Sequence, residues 1–346
     1  MLLERYSGNP VISPKADSWW QSEVTANPGA WYDAATGKVT MLFRASAADD
    51  EHKVYLGLAE SANGYDFERV GDEPAVSPSH GFDMGCVEDP RIVKFGDWYF
   101  IVYASRPFPA GKYWLKTPHE QWKPPFATED WPLAMRESMS SSDLLLTNDF
   151  RTFYRGGRIT DPMIDDRDAI LFPEKIDGQF ALLHRPMQWT GPDYGTDFPA
   201  MWICFSDDCL KWTDKEQYLL AKAEYDWECK IGGSTPPLRT AAGWLVIYHA
   251  VGPDKHYRVG AMLLDLADPR RVTHRSPTWL MQPEEAYELE GYYQGCIFPC
   301  GNVIIDDTLF VYYGSGDRHV GVATCPLDGL LDQLGLRESR VPQAGA

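Results

Sequence analysis

One hairpin pattern occurs five times along this chain, and it limits the possible folds more than any other feature. Each copy begins with a strand that opens on polar or charged residues, turns at a Gly- or Asp-containing hairpin, and returns as an aromatic-rich strand. The returning strands are centred on Phe43, Tyr103, His184, Tyr248 and Tyr313. Repetition of one small antiparallel sheet predicts an all-β fold, a five-bladed β-propeller with a central funnel. A β-sandwich built from similar hairpins is the alternative.

The repeats run almost from end to end, so we expect a single domain, residues 1–346. The interval between the second and third copies is longer because of an insertion at about 106–157, rich in Trp, Pro and Lys. That segment is too aromatic for a disordered linker, and we expect an ordered loop region over one face. Helical signals are weak, apart from a short stretch near 327–334.

A propeller would bring distant parts of this chain together. The innermost strand of each blade lines the central channel, so the residues that open each repeat converge on one funnel. Here the openings carry mostly polar and charged residues: Asn27, Glu88, Asp89, Arg167, Lys230 and Phe298. The sequence therefore predicts a polar site at the centre of the molecule.

The charge of the chain restricts what this site can bind. The net charge of −18 argues against nucleic acid and anionic membranes as partners, because both require a basic surface. A small anion remains possible only where basic side chains gather locally. The ends of the same strands supply such side chains: Arg44, Arg167, His184, Arg185, Lys230 and His249. Each could instead form an ordinary ion pair with a neighbouring carboxylate, but the whole set favours a ligand site.

Cysteines and the amino-terminal segment bear on the compartment. The seven cysteines are odd in number and lie in apolar contexts, which is typical of buried thiols in a reducing environment. Their spacing matches no zinc motif, and we expect no metal site. The first residues lack a basic segment followed by an apolar one, and no apolar run is long enough to cross a membrane. We therefore expect a cytoplasmic protein.

Several ordered motifs together give a family resemblance. The stretches "EDPRIVKF" (88–95), "LFPEKIDGQFALLHRP" (171–186), "KIGGSTPPLRTAAGWLVIYHAV" (230–251), "FPCGNVIID" (298–306) and "VYYGSGD" (311–317) resemble glycoside hydrolase family 130. The resemblance runs from about residue 9 to residue 334. It implies a five-bladed propeller, an activity that is mostly inverting β-mannoside phosphorolysis, and an ability to form oligomers. The insertion has no counterpart in the family pattern, and we expect it to border the acceptor sugar.

The resemblance also implies roles for individual residues. Asp89 matches the catalytic acid, which in the phosphorylases is thought to protonate the glycosidic oxygen through a hydroxyl of the bound mannose. The positions that match phosphate-binding residues are Arg167, Arg185, Lys230, His249 and Tyr257. The positions that match residues around the mannose are Asn27, Arg44, Asp317 and Glu288. The match at Glu288 is weaker than the others.

The choice between phosphorolysis and hydrolysis depends on the cationic set. An inverting hydrolase needs a second carboxylate to activate water, whereas phosphate is already a nucleophile and needs a cationic clamp. Because the clamp residues are all present, we expect a β-mannoside and inorganic phosphate as substrates, α-D-mannose 1-phosphate as product, and no other cofactor. The alternatives are an inverting β-mannosidase, with Glu228 as one possible base, and a non-catalytic carbohydrate-binding propeller.

Overall fold

Antiparallel strands account for nearly all of the regular structure. The computed structural model describes residues 2–79, 81–117 and 123–336. The strands in chain order are β1 (Glu4–Arg5), β2 (Val24–Asp33), β3 (Lys38–Ser46), β4 (Val54–Ser61), β5 (Glu68–Arg69), β6 (Cys86–Phe95), β7 (Trp98–Arg106), β8 (Ser141–Thr147), β9 (Tyr154–Arg158), β10 (Asp166–Leu171), β11 (Phe180–Pro186), β12 (Met201–Ser206), β13 (Tyr218–Ala221), β14 (Lys230–Gly233), β15 (Leu238–Arg239), β16 (Trp244–Val251), β17 (Tyr257–Leu264), β18 (Val272–Arg275), β19 (Ile297–Ile305), β20 (Thr308–Ser315) and β21 (His319–Pro326).

The pairing of these strands reproduces the repeat seen in the sequence. Within the described ranges, five successive antiparallel units form from β2–β5, β6–β9, β10–β13, β14–β18 and β19–β21. The strand β1 joins the last unit by pairing with β21, so the two ends of the chain share one sheet. A single parallel bridge between Val54 and Cys86 links the first two units. The predicted all-β propeller is confirmed.

Hydrophobic side chains hold the units face to face. Each buried cluster contains residues from two neighbouring units; Phe43 of β3 packs with Tyr312 of β20, for example, and Leu42 packs with Ile101 of β7. Three further clusters join the second unit to the third, the third to the fourth, and the fourth to the fifth. Because successive side chains of a strand point to opposite faces, each sheet can serve two clusters. The units therefore close into a ring around a centre.

A buried polar trio recurs at the middle of three units. In each, a tyrosine of the second strand donates to a carboxylate that precedes the first strand, and an arginine of the outermost strand pairs with the same carboxylate. This arrangement ties the outermost strand of a unit to its inner ones. The trios are Tyr103–Asp83–Arg155, Tyr248–Glu228–Arg275 and Tyr313–Glu288–Arg5.

The insertion is shorter than the sequence suggested. The predicted segment 106–157 includes β8 and most of β9, which are regular strands of the second unit. The segment without such strands is 107–140. Its described part contains a 3₁₀ helix (Tyr113–Leu115) and a one-turn helix α1 (Leu133–Arg136). The side chains of Phe108, Phe126 and Trp131 pack together within it.

The remaining helices are short. They are a 3₁₀ helix (Pro192–Tyr194), α2 (Ala286–Leu289) and α3 (Leu327–Gln333). The helix α3 coincides with the helical stretch predicted near the carboxyl end. Among residues 2–79, 81–117 and 123–336, no helix has both the length and the apolar character needed to cross a membrane. All seven cysteines are free thiols.

Candidate active site

Bulges in the first strands of three units present polar residues to the centre. The pairing register shifts between Ala26 and Gly29 in β2, and in the same way in β6 and β10. At these bulges the backbone is left-handed, with φ values of 44° at Asn27, 55° at Asp89 and 54° at Asp168. Asn and Asp tolerate this conformation better than most residues. A bulge re-aims a side chain, and all three residues face the same central cavity.

The cavity has a volume of about 260 Å³ and lies where the first strands converge. Residues from all five units contribute to its wall. Eight of the ten predicted site residues line it: Asn27, Arg44, Asp89, Arg167, Arg185, Lys230, Tyr257 and Asp317. The fold therefore brings together residues that are separated by up to most of the chain length.

Asp89 has the properties of a general acid. Burial and the neighbouring carboxylate of Glu88 raise its pKa to about 6, against the partly compensating attraction of Arg44. The side-chain amide of Asn27 donates to Asp89 Oδ1 at 2.7 Å, and Arg91 Nη1 donates to the backbone carbonyl of Asp89 at 2.9 Å. Asn27 thus holds the carboxyl group, and Arg91 holds the backbone next to it. A carboxyl group with a pKa near 6 can hold a proton for transfer near neutral pH.

Arg44 connects Asp89 to Asp317 within one wall of the cavity. Its Nη2 atom pairs with Asp317 Oδ1, and its Nη1 atom lies 3.4 Å from Glu88 Oε2 and 3.8 Å from Asp89 Oδ1. Arg44 and its three carboxylate neighbours are mostly buried, which strengthens these interactions. This wall offers carboxylate and amide groups that can hydrogen-bond the hydroxyls of a sugar.

A second part of the cavity wall is cationic. Arg185 Nε lies 2.7 Å from Asp168 Oδ2, whereas its Nη1 atom is buried and has no hydrogen-bond partner in the described part of the chain. Burial opposes ionisation of Asp168, but the charge of Arg185 outweighs it, and the pKa of Asp168 is lowered to about 2. A buried guanidinium nitrogen without a partner is unfavourable unless a ligand accepts its hydrogen bond. This arrangement indicates an anion site.

Arg167 and Lys230 extend the cationic wall. Asp165 accepts hydrogen bonds from Arg167 Nε at 2.6 Å and Nη2 at 2.7 Å, so part of this guanidinium is engaged in an internal ion pair. Lys230 Nζ donates to Tyr257 Oη at 3.3 Å. Burial, followed by the charges of Arg185 and Arg167, lowers the pKa of Lys230 to about 7. Part of this depression is therefore repulsion between Lys230 and the two arginines.

His249 lies behind the wall rather than in it. Its side chain is fully buried; Nδ1 is 3.2 Å from Ser234 Oγ, and Nε2 is 3.4 Å from Asp168 Oδ2. Burial lowers the pKa of His249 to about 3, although Asp168 favours its charged form. A neutral imidazole at this place can orient Asp168 but adds no positive charge. Its predicted contact with phosphate stays a prediction.

Glu288 is the predicted residue that the structure places away from the cavity. Its carboxylate accepts from Tyr313 Oη at 2.9 Å and from Arg5 Nε at 2.8 Å, and its side chain is fully buried. These two contacts are to Oε1, and Arg5 Nη2 donates to Oε2 at 2.8 Å, so both oxygens are engaged in one of the repeated trios. The possible base Glu228 occupies the equivalent trio with Tyr248. His184, predicted among the basic residues of the funnel, instead pairs with Asp166 at 2.8 Å outside this cavity.

Asp168, Arg106 and Tyr113 are among the cavity residues for which the sequence predicts no site role. The sequence alone identifies the carboxylates next to the basic residues, Asp168 among them, only as ion-pair partners. The position of Asp168 in "RDAI" aligns with Asp89 in "EDPRI" and with Asn27, and this repeat could have identified it. Arg106 lines the cavity, and its Nη1 atom donates to the carbonyl of Ser138 at 2.7 Å. Tyr113, in the insertion, donates to Asp317 Oδ2 at 2.7 Å. No sequence signal points to Tyr113, because the insertion lies outside the repeat.

The two walls define what the site can do chemically. A protonatable carboxyl group and buried cations line the same polar cavity, so the site can protonate a leaving group while it holds an anion. Among the described residues, no cluster of three or more His, Cys, Asp or Glu side chains is arranged to hold a metal ion. A general acid and an anion site in one polar cavity, at the centre of a propeller, are typical of an enzyme that acts on a polar, hydroxyl-rich substrate.

Comparison with known sequences gives the family. Residues 5–118 and 134–336 match glycoside hydrolase family 130, described as beta-1,4-mannooligosaccharide phosphorylase. A 1,2-beta-oligomannan phosphorylase from Thermoanaerobacter sp. (strain X514) is 34% identical over 327 residues, covering 93% of this chain and 96% of that protein. A beta-1,4-mannooligosaccharide phosphorylase from Ruminococcus albus is 27% identical, covering 96% and 91%. The chain belongs to glycoside hydrolase family 130, and the predicted class of enzyme, a mannoside phosphorylase, is confirmed.

Comparison with solved structures agrees with the fold. The beta-1,2-mannobiose phosphorylase from Listeria innocua, in complex with beta-1,2-mannobiose, superposes with a TM-score of 0.77 at 24% identity, covering 97% of this chain and all of that one. A glycoside hydrolase of the same family, described as targeting beta-1,2 mannosidic linkages in Candida mannan, gives a TM-score of 0.71 at 22% identity. At these identities the likeness shows the fold alone.

Proposed function

We propose that this enzyme cleaves a β-D-mannoside with inorganic phosphate and releases α-D-mannose 1-phosphate with inversion at the anomeric carbon. The observation that carries the proposal is that one cavity contains both Asp89, whose pKa is raised to about 6, and Arg185, which keeps a buried, unpartnered nitrogen. An acid alone fits hydrolysis as well. An acid that shares its cavity with Arg167, Arg185 and Lys230, within a chain of net charge −18, fits phosphate as the nucleophile.

Asp89 supplies the proton. As the bond between C1 and the glycosidic oxygen breaks, the carboxyl proton of Asp89 goes to the leaving oxygen, directly or through a hydroxyl of the mannose. Asp89 is left as a carboxylate, which Asn27 and Arg44 stabilise by their contacts with Oδ1. A phosphate oxygen forms the new bond to C1 from the opposite face, so a β-mannoside gives an α-phosphate. Solvent then returns a proton to Asp89.

The cationic wall holds the nucleophile. Arg185 Nη1 donates to one phosphate oxygen, the remaining guanidinium nitrogen of Arg167 reaches another, and Lys230 adds a third positive charge. A bound dianion would favour the protonated form of Lys230 and raise its pKa from about 7. The phosphate thereby neutralises repulsion that exists in the free enzyme, which contributes to its affinity.

The carboxylates of the cavity argue against hydrolysis. An inverting β-mannosidase needs a carboxylate that is free to activate water. Asp168 pairs with Arg185, Asp317 pairs with Arg44, and Glu88 lies 3.4 Å from Arg44. An ion-paired carboxylate is a weak base, as the low pKa of Asp168 shows. The site thus favours an external anion over water as the nucleophile.

A substrate panel tests the proposal. β-1,2-, β-1,3- and β-1,4-mannobiose and the corresponding trisaccharides are incubated with the enzyme, with and without inorganic phosphate, and mannose 1-phosphate and free mannose are quantified. We expect mannose 1-phosphate in the presence of phosphate, and no turnover without it. Free mannose formed at the same rate in both conditions would establish a hydrolase. Absence of any product, with mannose binding retained, would establish a carbohydrate-binding protein.

The panel also decides the linkage. The Thermoanaerobacter relative is named for β-1,2 linkages, whereas the family description and the Ruminococcus relative are named for β-1,4 linkages. Asp89→Asn serves as the control for catalysis in every reaction. This change keeps the shape of the side chain and the acceptor oxygen for Asn27 but removes the transferable proton.

A further inference from the structure

The insertion reaches the cavity through one side chain. Tyr113 lies in its 3₁₀ helix (Tyr113–Leu115), and Tyr113 and Ala110 are part of the cavity wall. The backbone next to Tyr113 is fixed to the first unit, because Gly111 N donates to Glu51 O at 2.9 Å and Lys112 Nζ lies 2.8 Å from Asp50 Oδ1. The insertion is therefore docked beside the sugar-binding wall, rather than away from it.

Tyr113 contacts a carboxylate that is already held from the other side. Its hydroxyl donates to Asp317 Oδ2 at 2.7 Å, while Asp317 Oδ1 pairs with Arg44. The Tyr113 ring also packs edge-on against His52, with ring centroids 5.9 Å apart. Burial, and then the charge of Asp317, raise the pKa of the Tyr113 hydroxyl well above its usual range. The hydroxyl therefore remains a neutral hydrogen-bond donor at any working pH.

These contacts form a continuous path to the acid. Tyr113 holds Asp317, Asp317 holds Arg44, and Arg44 lies 3.8 Å from Asp89 Oδ1. Three separate parts of the chain meet there: the insertion, the turn before β21 and the strand β3. With both oxygens of Asp317 fixed, its remaining lone pairs point in set directions. A carboxylate held in this way can accept hydrogen bonds from adjacent hydroxyls of one pyranose ring.

We propose that Tyr113 is a positioning residue of the sugar subsite, which it completes by fixing Asp317. The inference rests on the proposed function only for the identity of the sugar, a β-mannosyl group. It revises the expectation that the insertion borders the acceptor sugar. Because Tyr113 acts through Asp317 on the sugar side of the cavity, its removal affects the binding of sugar and not the binding of phosphate.

The test compares Tyr113→Phe with a matched control. Tyr154→Phe makes the same change at an exposed tyrosine of β9, outside the cavity. A hydrogen bond to a charged group corresponds to a loss of about ten- to hundredfold when it is removed. We expect Tyr113→Phe to raise KM for the mannoside by at least about tenfold, with KM for phosphate changed by less than about twofold. The Tyr154→Phe enzyme should resemble the wild type in both constants.

A double-mutant cycle tests the route through Asp317. If Tyr113 acts by fixing this carboxylate, Tyr113→Phe should have little further effect in an Asp317→Ala background, where no acceptor remains for the hydroxyl. Multiplicative losses would overturn the inference, and so would equal changes in both KM values or an unchanged KM for the mannoside. Thermal midpoints of all variants show whether each protein is folded.

A measurement without turnover separates this inference from the proposed function. D-Mannose is titrated into the wild type and the Tyr113→Phe variant in a calorimeter. A tenfold or greater loss of mannose affinity in the variant supports the inference, whether or not the wild type releases mannose 1-phosphate. Absence of mannose 1-phosphate from the wild-type reaction would count against the proposed function alone. Equal affinities in the two proteins, or no binding of mannose or of any mannoside to the wild type, would overturn the inference.

Discussion

The raised pKa of Asp89 makes the stability of the protein depend on pH in a way that one substitution can isolate. In the folded state this carboxyl group has a pKa of about 6, compared with an ordinary value of 3.8. The folded state therefore keeps its proton to higher pH than the unfolded state. The contribution of this group to stability is fully present below about pH 4 and is lost as pH rises through 6.

The size of the effect follows from the two pKa values. A difference between 3.8 and about 6 corresponds to about 3 kcal/mol of lost stability at alkaline pH, as an upper estimate. Asp89→Asn has no charge to lose, so this variant should be more stable than the wild type above pH 6 and similar to it at pH 4. For 346 residues, an unfolding entropy of about 2.1 cal/mol/K per residue converts 3 kcal/mol into about 4 °C.

Differential scanning calorimetry between pH 4 and 8 measures this difference, together with initial rates of mannose 1-phosphate formation. The Asp89→Asn variant should lose at least about a hundredfold in rate while its midpoint gains on the wild type as pH rises. Asp97→Asn, at the exposed turn between β6 and β7, makes the same change of net charge away from the cavity. A midpoint difference that is the same at pH 4 and pH 8 would refute the reasoning, as would an active Asp89→Asn enzyme.

Three further predictions concern the cationic wall and the buried trio. Arg185→Ala should raise KM for phosphate by more than about tenfold and change KM for the mannoside much less, because the lost guanidinium contacts the anion. Initial rates at varied phosphate and mannoside concentrations measure both constants. Equal changes in the two KM values would contradict the prediction. Because the pKa of Lys230 is about 7, the free enzyme loses positive charge as pH rises. Phosphate affinity should therefore fall between pH 6.5 and 8.5. The fall should be smaller in Lys230→Arg, because arginine stays charged over this range. Glu288→Gln should lower the free energy of unfolding by about 3–5 kcal/mol, because it removes the buried carboxylate that pairs with Arg5. Both KM values should stay unchanged. A raised KM for the mannoside, in a protein of normal stability, would instead show that Glu288 belongs to the sugar site.

The repeat explains why some site residues were accessible to sequence reasoning and others were not. Asp89 and Asn27 open their repeats, and the inner-strand position of an opening residue follows from the fold. Glu288 was assigned through the resemblance alone. Its equivalence to Glu228 became visible only when the Tyr–carboxylate–Arg trios were seen side by side. The two glutamates precede their first strands by different numbers of residues, so the repeat in the sequence does not align them.

By itself the sequence determined the architecture and the composition of the site. Apolar residues alternate within short strands, and this pattern occurs in five repeats. The resulting sheets can bury their hydrophobic faces only by packing against one another, and the first residues of the repeats then meet at the centre. Charge placement within an acidic chain likewise indicated an anion site around Arg185 and Lys230 before any geometry was known.

Only the tertiary structure decided which charged groups are available for a ligand. Arg167 is partly occupied by Asp165, His249 is buried and neutral, Arg185 keeps an unpartnered nitrogen, and Tyr113 joins the sugar side from outside the repeat. The physical reason is that pairing and pKa depend on distances of a few ångströms and on burial, which arise from contacts between residues far apart in the chain. A pattern along the chain fixes which groups come near the centre, but not how each group is oriented once it is there.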